Sequence, residues 1–283
     1  MLFLITGSSG FVGSELLNIL SKQHHCLGVG GRLDFPVTDQ KRVEEVINQE
    51  KPDVIVHLAG INNLSYCEEN PREAFKVNAL GTRNVAQAAA KVGARMAYIS
   101  SDLVFSGNKG KGYYEFDYPD PNSVYGWSKW WGEYYIVNIL SEYYILRVPL
   151  LFGLNKNRDE SIVPHALKKA EIGEEVKIDC NRVTNPTWIT HVAEVINDLS
   201  GTLSFGTYHV GSTGFVSVPY FISLLLEKKG LDPNLVDFGG PGEDKPIDQG
   251  GYNVIQSAVL PYMRDVRNLP GWREALETCM GMQ

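Results

Sequence analysis

Five mostly apolar residues, Leu2-Phe-Leu-Ile-Thr6, run directly into Gly7-Ser-Ser-Gly10-Phe-Val-Gly13, and this junction restricts the fold more than any other stretch. The apolar run is short and bulky, the pattern of a strand buried on both faces of a parallel sheet. From Gly10 to about Gln23, the apolar positions Phe11, Val12, Leu16, Leu17 and Leu20 recur at helical spacing. Glycine at position 7 permits a tight strand-to-helix turn. Gly10 lets the backbone approach a bound group with no Cβ in the way, and Gly13 lets the helix pack close to the strand. The unpaired N–H groups and positive dipole end of that helix favour an anion. On its own GxxGxxG is only a turn motif. Between a buried strand and an amphipathic helix it points to a dinucleotide pyrophosphate.

The rhythm continues along the chain. Residues 26–30, 53–59, 94–100 and 143–147 read as further strands, and 39–49, 71–92 and 123–140 as the helices between them. Such alternation implies right-handed βαβ units. The expected fold class is α/β: a Rossmann-type doubly wound parallel sheet with a smaller C-terminal α/β domain. Residues 1–153 are expected to bind the dinucleotide, with a return of the chain over 187–210. Residues 154–186 and 211–283 would form the substrate-binding domain, with apolar helices over 218–228 and 271–278.

The charge and cysteine pattern excludes several classes. With 33 acidic against 26 basic residues, the chain carries a formal charge of −7, which argues against nucleic acid or an anionic membrane as partner. No apolar run approaches the roughly 20 residues needed to span a bilayer. The start of the chain enters the strand with no basic leader region, so a cytoplasmic location is expected. Cys26, Cys67, Cys180 and Cys279 show no CxxC spacing, and the six histidines no HxxxH, so neither a disulfide framework nor a metal site is expected. Cys67 beside Glu68 and Glu69 reads as an inert thiol.

The second strand ends with Val29-Gly30-Gly31-Arg32, where an NAD-selective site carries a carboxylate for the ribose hydroxyls. Arg32 suits a 2′-phosphate instead, which favours NADP. Asp34 lies two residues on and leaves NAD open.

Tyr125-Gly-Trp-Ser-Lys129 places a phenol and an ammonium four residues apart at the start of a helix, so both project from one face, with Cβ atoms roughly 5–6 Å apart. A phenol of ordinary pKa is a poor acid–base group at neutral pH. The ammonium is expected to lower that pKa, so that Tyr125 delivers a proton to a carbonyl oxygen as a hydride arrives from the nicotinamide. Lys129 would also donate to the nicotinamide ribose. Ser101, at the end of Tyr98-Ile-Ser-Ser-Asp102, is the candidate hydrogen-bond donor to the substrate oxygen.

These residues resemble the extended short-chain dehydrogenase/reductases and, within them, the dTDP-4-dehydrorhamnose reductases. The matching stretches are Pro52-Asp-Val-Ile-Val-His57, Cys67-Glu-Glu-Asn-Pro71, Val77-Asn-Ala-Leu-Gly-Thr82, Tyr98-Ile-Ser-Ser-Asp-Leu-Val-Phe105, Asn122-Ser-Val-Tyr-Gly126 with Ser128-Lys129, and Gly206-Thr-Tyr-His-Val210. The likeness is good to about Gly153 and thinner beyond. It implies that Gly10, Phe11 and Val12 bracket the cofactor phosphates, that Leu58, Ala59 and Gly60 line the adenosine ribose side, and that Asn78 supports the active-site strand. Asn63, Ser101, Asp102 and Arg182 fall on the substrate side. Leu103 stands where related dehydratases place a glutamate, so dehydration is disfavoured. Pro36, Leu150 and the run Arg182-Val-Thr-Asn-Pro-Thr187 depart from the family pattern, so the sugar pocket is altered.

The resemblance implies reduction of the 4-keto group of a nucleotide-linked 4-keto-6-deoxy sugar by hydride from NAD(P)H. Two alternatives stay open: a sugar-nucleotide epimerase, and a non-catalytic NADP-binding regulatory subunit like that of methionine adenosyltransferase. Trp127, Trp130 and Trp131 are expected in core or dimer contacts rather than against substrate. A homodimer is expected.

Overall fold

The computed structural model describes residues 1–30, 35–153, 162–178, 182–238 and 251–281. Its centre is a six-stranded, wholly parallel sheet. β1 (Leu2–Thr6), α1 (Phe11–Leu20), β2 (His25–Val29) and α2 (Gln40–Glu50) lead to β3 (Val54–His57). Two short helices, α3 (Leu64–Glu69) and α4 (Pro71–Ala74), precede α5 (Thr82–Val92), β4 (Arg95–Ser101), α6 (Val124–Ile139) and β5 (Tyr143–Val148). The sixth strand, Gly206–His209, pairs with β5, so the chain does come back to this sheet. The strand order is β2-β1-β3-β4-β5 and then Gly206–His209. The chain leaves β1 towards β2 and then crosses to β3 on the other side of β1, so the strand order reverses there, and open α/β sheets bind ligands beyond the strand tips at such a point.

Side chains alternate across the sheet with the period of two that a strand imposes. Phe3 and Ile5 pack with Val54, Val56 and Leu146 under Leu16 and Leu20 of α1 and Val192, Val195, Ile196 and Leu199 of the helix Ile189–Ser200. Leu4 points the other way and joins Ile55, Met96, Tyr98 and Ile145 beneath α2, α5 and α6. A second core gathers Phe152, Val163, Leu167, Trp188, Phe221, Ile222, Leu225, Trp272 and Leu276, and Phe11 of α1 is part of it.

The stretch 71–92 is not one continuous helix. Between α4 and α5 the backbone widens into a π-helical turn, Phe75–Gly81. Asn78 lies in that turn with its side chain turned inward, and Gly81 passes so close to Val37 that a Cβ there would meet Cγ2 at 2.7 Å. π-turns inside helices commonly mark functional sites. Among the described residues, no helix is long and apolar enough to cross a membrane.

Candidate active site

The glycine loop is shaped by close approaches. Gly7 has φ +68, in the left-handed region that favours glycine. A Cβ on Gly13 would lie 2.2 Å from Gly7 O, so α1 can seat against the loop only without one. Gly10 differs: a Cβ there would meet only Gly7 O, at 3.3 Å, and otherwise enter open space. Gly10 is also the cap of α1 and makes no side-chain bond, which leaves the N–H groups of the first turn directed outward.

That loop opens into a cleft of about 910 Å³ that runs to the tips of β4 and β5. Of the residues named from the sequence, Gly7, Gly10, Phe11, Val12, Gly13, Leu58, Ala59, Gly60, Ser101, Asp102, Tyr125, Lys129 and Arg182 line it. Arg32 and Asp34 lie outside the described residues. Asn63 does not line the cleft: it is exposed, and its Oδ1 accepts from Tyr66 N as the cap of α3, while neighbouring Asn62 takes the lining position. Asn78 does not line it either. It is 1% exposed; its Nδ2 donates to Ile61 O and Ser128 Oγ (both 2.9 Å), and its Oδ1 accepts from Ile61 N (2.7 Å). Asn78 therefore ties the loop after β3 to α6, rather than supporting the active-site strand or touching a ligand.

The helix bearing Tyr125 and Lys129 starts at Ser123, whose hydroxyl caps Gly126 N (3.1 Å). Gly126 is obligatory, because a Cβ would come within 2.1 Å of Leu103 O. α6 thus rests directly on the segment after β4, and Tyr125 comes to Ser101. Ser101 Oγ accepts from Leu103 N and donates to Asp102 Oδ1 (both 3.1 Å). Asp102 is buried and paired with Arg182 Nη2 at 3.2 Å. Burial pushes the Asp102 carboxyl above its usual range, while Arg182 and the Ser101 hydroxyl pull it back.

The expectation that Lys129 lowers the Tyr125 pKa is not met. Burial raises the phenol well above its ordinary value; Ser101 opposes this, Asp102 and Cys67 add to it, and Arg182 lowers it. Lys129 takes no part because its Nζ donates to Ile99 O (2.7 Å) and lies over the Tyr98 ring, 4.1 Å from the centroid. Burial lowers Lys129 itself to about 7, with Glu133 opposing.

Several contributors went unread in the sequence. Thr6, His57 and Thr82 form a buried chain: Thr6 Oγ1 meets His57 Nδ1 at 2.7 Å, and His57 Nε2 meets Thr82 Oγ1 at 3.0 Å. Since Thr82 donates to Asn78 O, the network assigns the ring proton to Nε2. Thr6 Oγ1 also accepts from Leu58 N and Ala59 N (3.2 Å each), fixing the loop after β3 against the tip of β1. Burial drops the His57 pKa to about 3, so it stays neutral. A smaller cavity of about 430 Å³ adjoins the glycine loop, lined by Ser8, Ser9, Phe35 and Arg42 among others. The only signal for Arg42 in the sequence is its place in the first turn of α2. Trp127 and Trp131 are exposed on α6 and line neither cavity.

The family described as the RmlD substrate binding domain matches residues 1–280. A dTDP-4-dehydrorhamnose reductase of Streptomyces griseus is 30% identical over 218 residues, 75% of this chain and 71% of that protein. Methionine adenosyltransferase 2 subunit beta of Bos taurus is 31% identical over 205 residues, 70% of this chain and 61% of that protein. A crystal structure of dTDP-4-dehydrorhamnose reductase from Bacillus anthracis in complex with NADP is similar with a TM-score of 0.88 at 29% identity, covering 100% of this chain and 99% of that chain.

Proposed function

The chain belongs to the RmlD substrate binding domain family, and on that footing we propose that it reduces the 4-keto group of a nucleotide-linked 4-keto-6-deoxy sugar. The observation that carries this reading is the single cleft shared by the glycine loop, Ser101, Tyr125, Lys129 and Arg182. The residues present fit a nicotinamide dinucleotide: α1 begins uncapped, and a Cβ on Gly10 would intrude on the space its N-terminus faces. Gly7, Gly10, Phe11, Val12 and Gly13 would hold its phosphates, and Leu58, Ala59 and Gly60 its ribose. NADP is preferred and NAD possible; the likeness to an NADP complex and the candidate cations Arg32 and Arg42 support that order. When bound in its reduced form, the cofactor supplies a hydride to the carbonyl carbon.

Tyr125 gives its phenolic proton to the carbonyl oxygen, completing the alcohol. Its raised pKa keeps it protonated across the neutral range but makes it a weaker acid, so the transfer is driven by the negative charge that the arriving hydride places on the carbonyl oxygen. Ser101 orients the same oxygen once its hydroxyl turns from Asp102. Arg182 meets the substrate diphosphate, and Leu103, which lines the cleft without a titratable group, offers no base for dehydration. The second core forms the sugar side of the cleft, and the exposed face of α6 (Trp127, Trp131, Tyr134, Val137) supports a homodimer.

One assay separates the readings. Purified protein given NADPH and a nucleotide-linked 4-keto-6-deoxy sugar should consume one NADPH per sugar reduced. An epimerase would interconvert sugars with no net NADPH loss. A regulatory subunit, the reading favoured by the likeness to methionine adenosyltransferase 2 subunit beta, would bind NADPH and turn over no sugar nucleotide.

A further inference from the structure

Tyr125, Lys129 and Glu133 occupy successive turns of α6, and each meets a different residue of one strand tip. Lys129 Nζ donates to Ile99 O, Ser100 donates its hydroxyl to Glu133, and Ser101 meets Tyr125. Glu133 is 4% exposed. Its carboxylate is also gripped by Arg147 of β5, through Nε at 3.1 and 3.2 Å and Nη2 at 2.7 Å. Arg147 Nη1 donates to His209 Nε2 (3.4 Å), and His209 Nδ1 is fixed by the carbonyls of Tyr113 and Gln256.

A buried ion pair is a costly way to hold strands together, and an apolar pair of similar volume often serves as well. Stability alone therefore gives no reason for this one. Its position beside Lys129 does. The groups facing that lysine are the Tyr98 ring of β4 and His57 of β3, both uncharged at neutral pH. Among the described residues, Glu133 is the negative charge that acts on it.

We propose that Glu133, clamped by Arg147 and Ser100, is a positioning residue that holds Lys129 at the tip of β4 and supplies the buried negative charge that keeps its ammonium there. This rests on the proposed reductase reading, in which Lys129, as an ammonium, donates to the nicotinamide ribose beside Tyr125. Burial draws the Lys129 pKa down and Glu133 draws it up, so removing the carboxylate moves the titration further down.

The test is Glu133→Gln, read in two ways: kcat/KM against pH, and the Lys129 side-chain titration by NMR, assigned by difference from Lys129→Met. The amine midpoint falls by about one unit and the alkaline limb follows, so kcat/KM drops about tenfold at pH 8 and less than about twofold at pH 5.5. Glu133→Asp, which keeps the charge, restores most of the wild-type titration. An equal loss at every pH with an unmoved amine titration would mean that Glu133 only braces the fold, and would overturn the proposal. If Glu133→Gln does not fold, the double change Glu133→Gln with Arg147→Met leaves no orphan guanidinium and carries the same two outcomes. A wild-type protein that oxidises no NADPH would sink the catalytic reading and leave the amine titration to decide this one.

Discussion

At the glycine end of the cleft the chain offers mainly backbone: the uncapped N-terminus of α1, the turn at Gly7 and the close seating of Gly13. At the tyrosine end the working parts are side chains, and ionised or polar groups hold them from below: Lys129 on Ile99 O, Glu133 between Ser100 and Arg147, Asp102 against Arg182. The first end is built by leaving atoms out, so it tolerates little added volume. The second is built by burying charges, so its behaviour depends on pH and on which partner is removed.

The largest effect should come from the phenol. Tyr125→Phe keeps the ring and deletes the proton, and kcat for ketosugar reduction should fall by about 10²–10⁴ while NADPH still binds. Wild-type turnover in that variant would show that the tyrosine end does not do the acid chemistry. Two glycine substitutions come next. Gly13→Ala drives a methyl to 2.2 Å from Gly7 O and should destabilise the fold by about 3 kcal/mol, read by urea denaturation. Gly10→Ala meets only one oxygen at 3.3 Å, so its fold should hold while NADPH affinity drops at least about tenfold, read by titration calorimetry. Equal stability losses for the two would erase the distinction between a packing glycine and a ligand-facing one.

The same contrast explains how much was legible in the sequence. Gly7, Gly10 and Gly13 do their work through what the backbone allows, and a backbone demand leaves a fixed spacing. Tyr125 and Lys129 were equally plain, four apart on one helix. What spacing does not carry is where a charge ends up. Nothing in the spacing marks Glu133 until β4 and β5 bring Ser100 and Arg147 to it, and His57 reads as one residue of the strand 53–59 until Thr6 and Thr82 enclose it. Lys129 was expected to act on Tyr125 because helical spacing gives proximity of Cβ atoms but not the direction of a long side chain. Asn63 resembled a ligand residue and is a helix cap, since Asn serves both purposes.

Burial of Lys129 at the tyrosine end has a consequence for stability. Its folded pKa of about 7 lies below that of the unfolded chain, so folding carries a penalty that is full below pH 7 and fades as pH rises towards the unfolded value. Stability should therefore climb by about 2 kcal/mol between pH 7 and 9, read as an upward shift of the urea midpoint. Lys129→Met should remove that slope. The same slope in the variant would assign it to other groups.

The smallest effect tests whether both ends are used by one substrate. Arg182 Nη2 is paired with Asp102, but its Nε is buried with no hydrogen-bond partner among the described residues. An orphaned buried donor is costly, and a phosphate oxygen would satisfy it. Arg182→Met should raise the KM for the sugar nucleotide about tenfold, near 1.4 kcal/mol, and leave the KM for NADPH unchanged. Loss of the guanidinium also removes the main influence holding the Asp102 carboxyl down against burial, so that pKa rises. Because the loss falls on substrate binding, kcat should fall less than kcat/KM. A variant that loses kcat and keeps its sugar-nucleotide KM would place Arg182 with the reacting groups and take it away from the diphosphate.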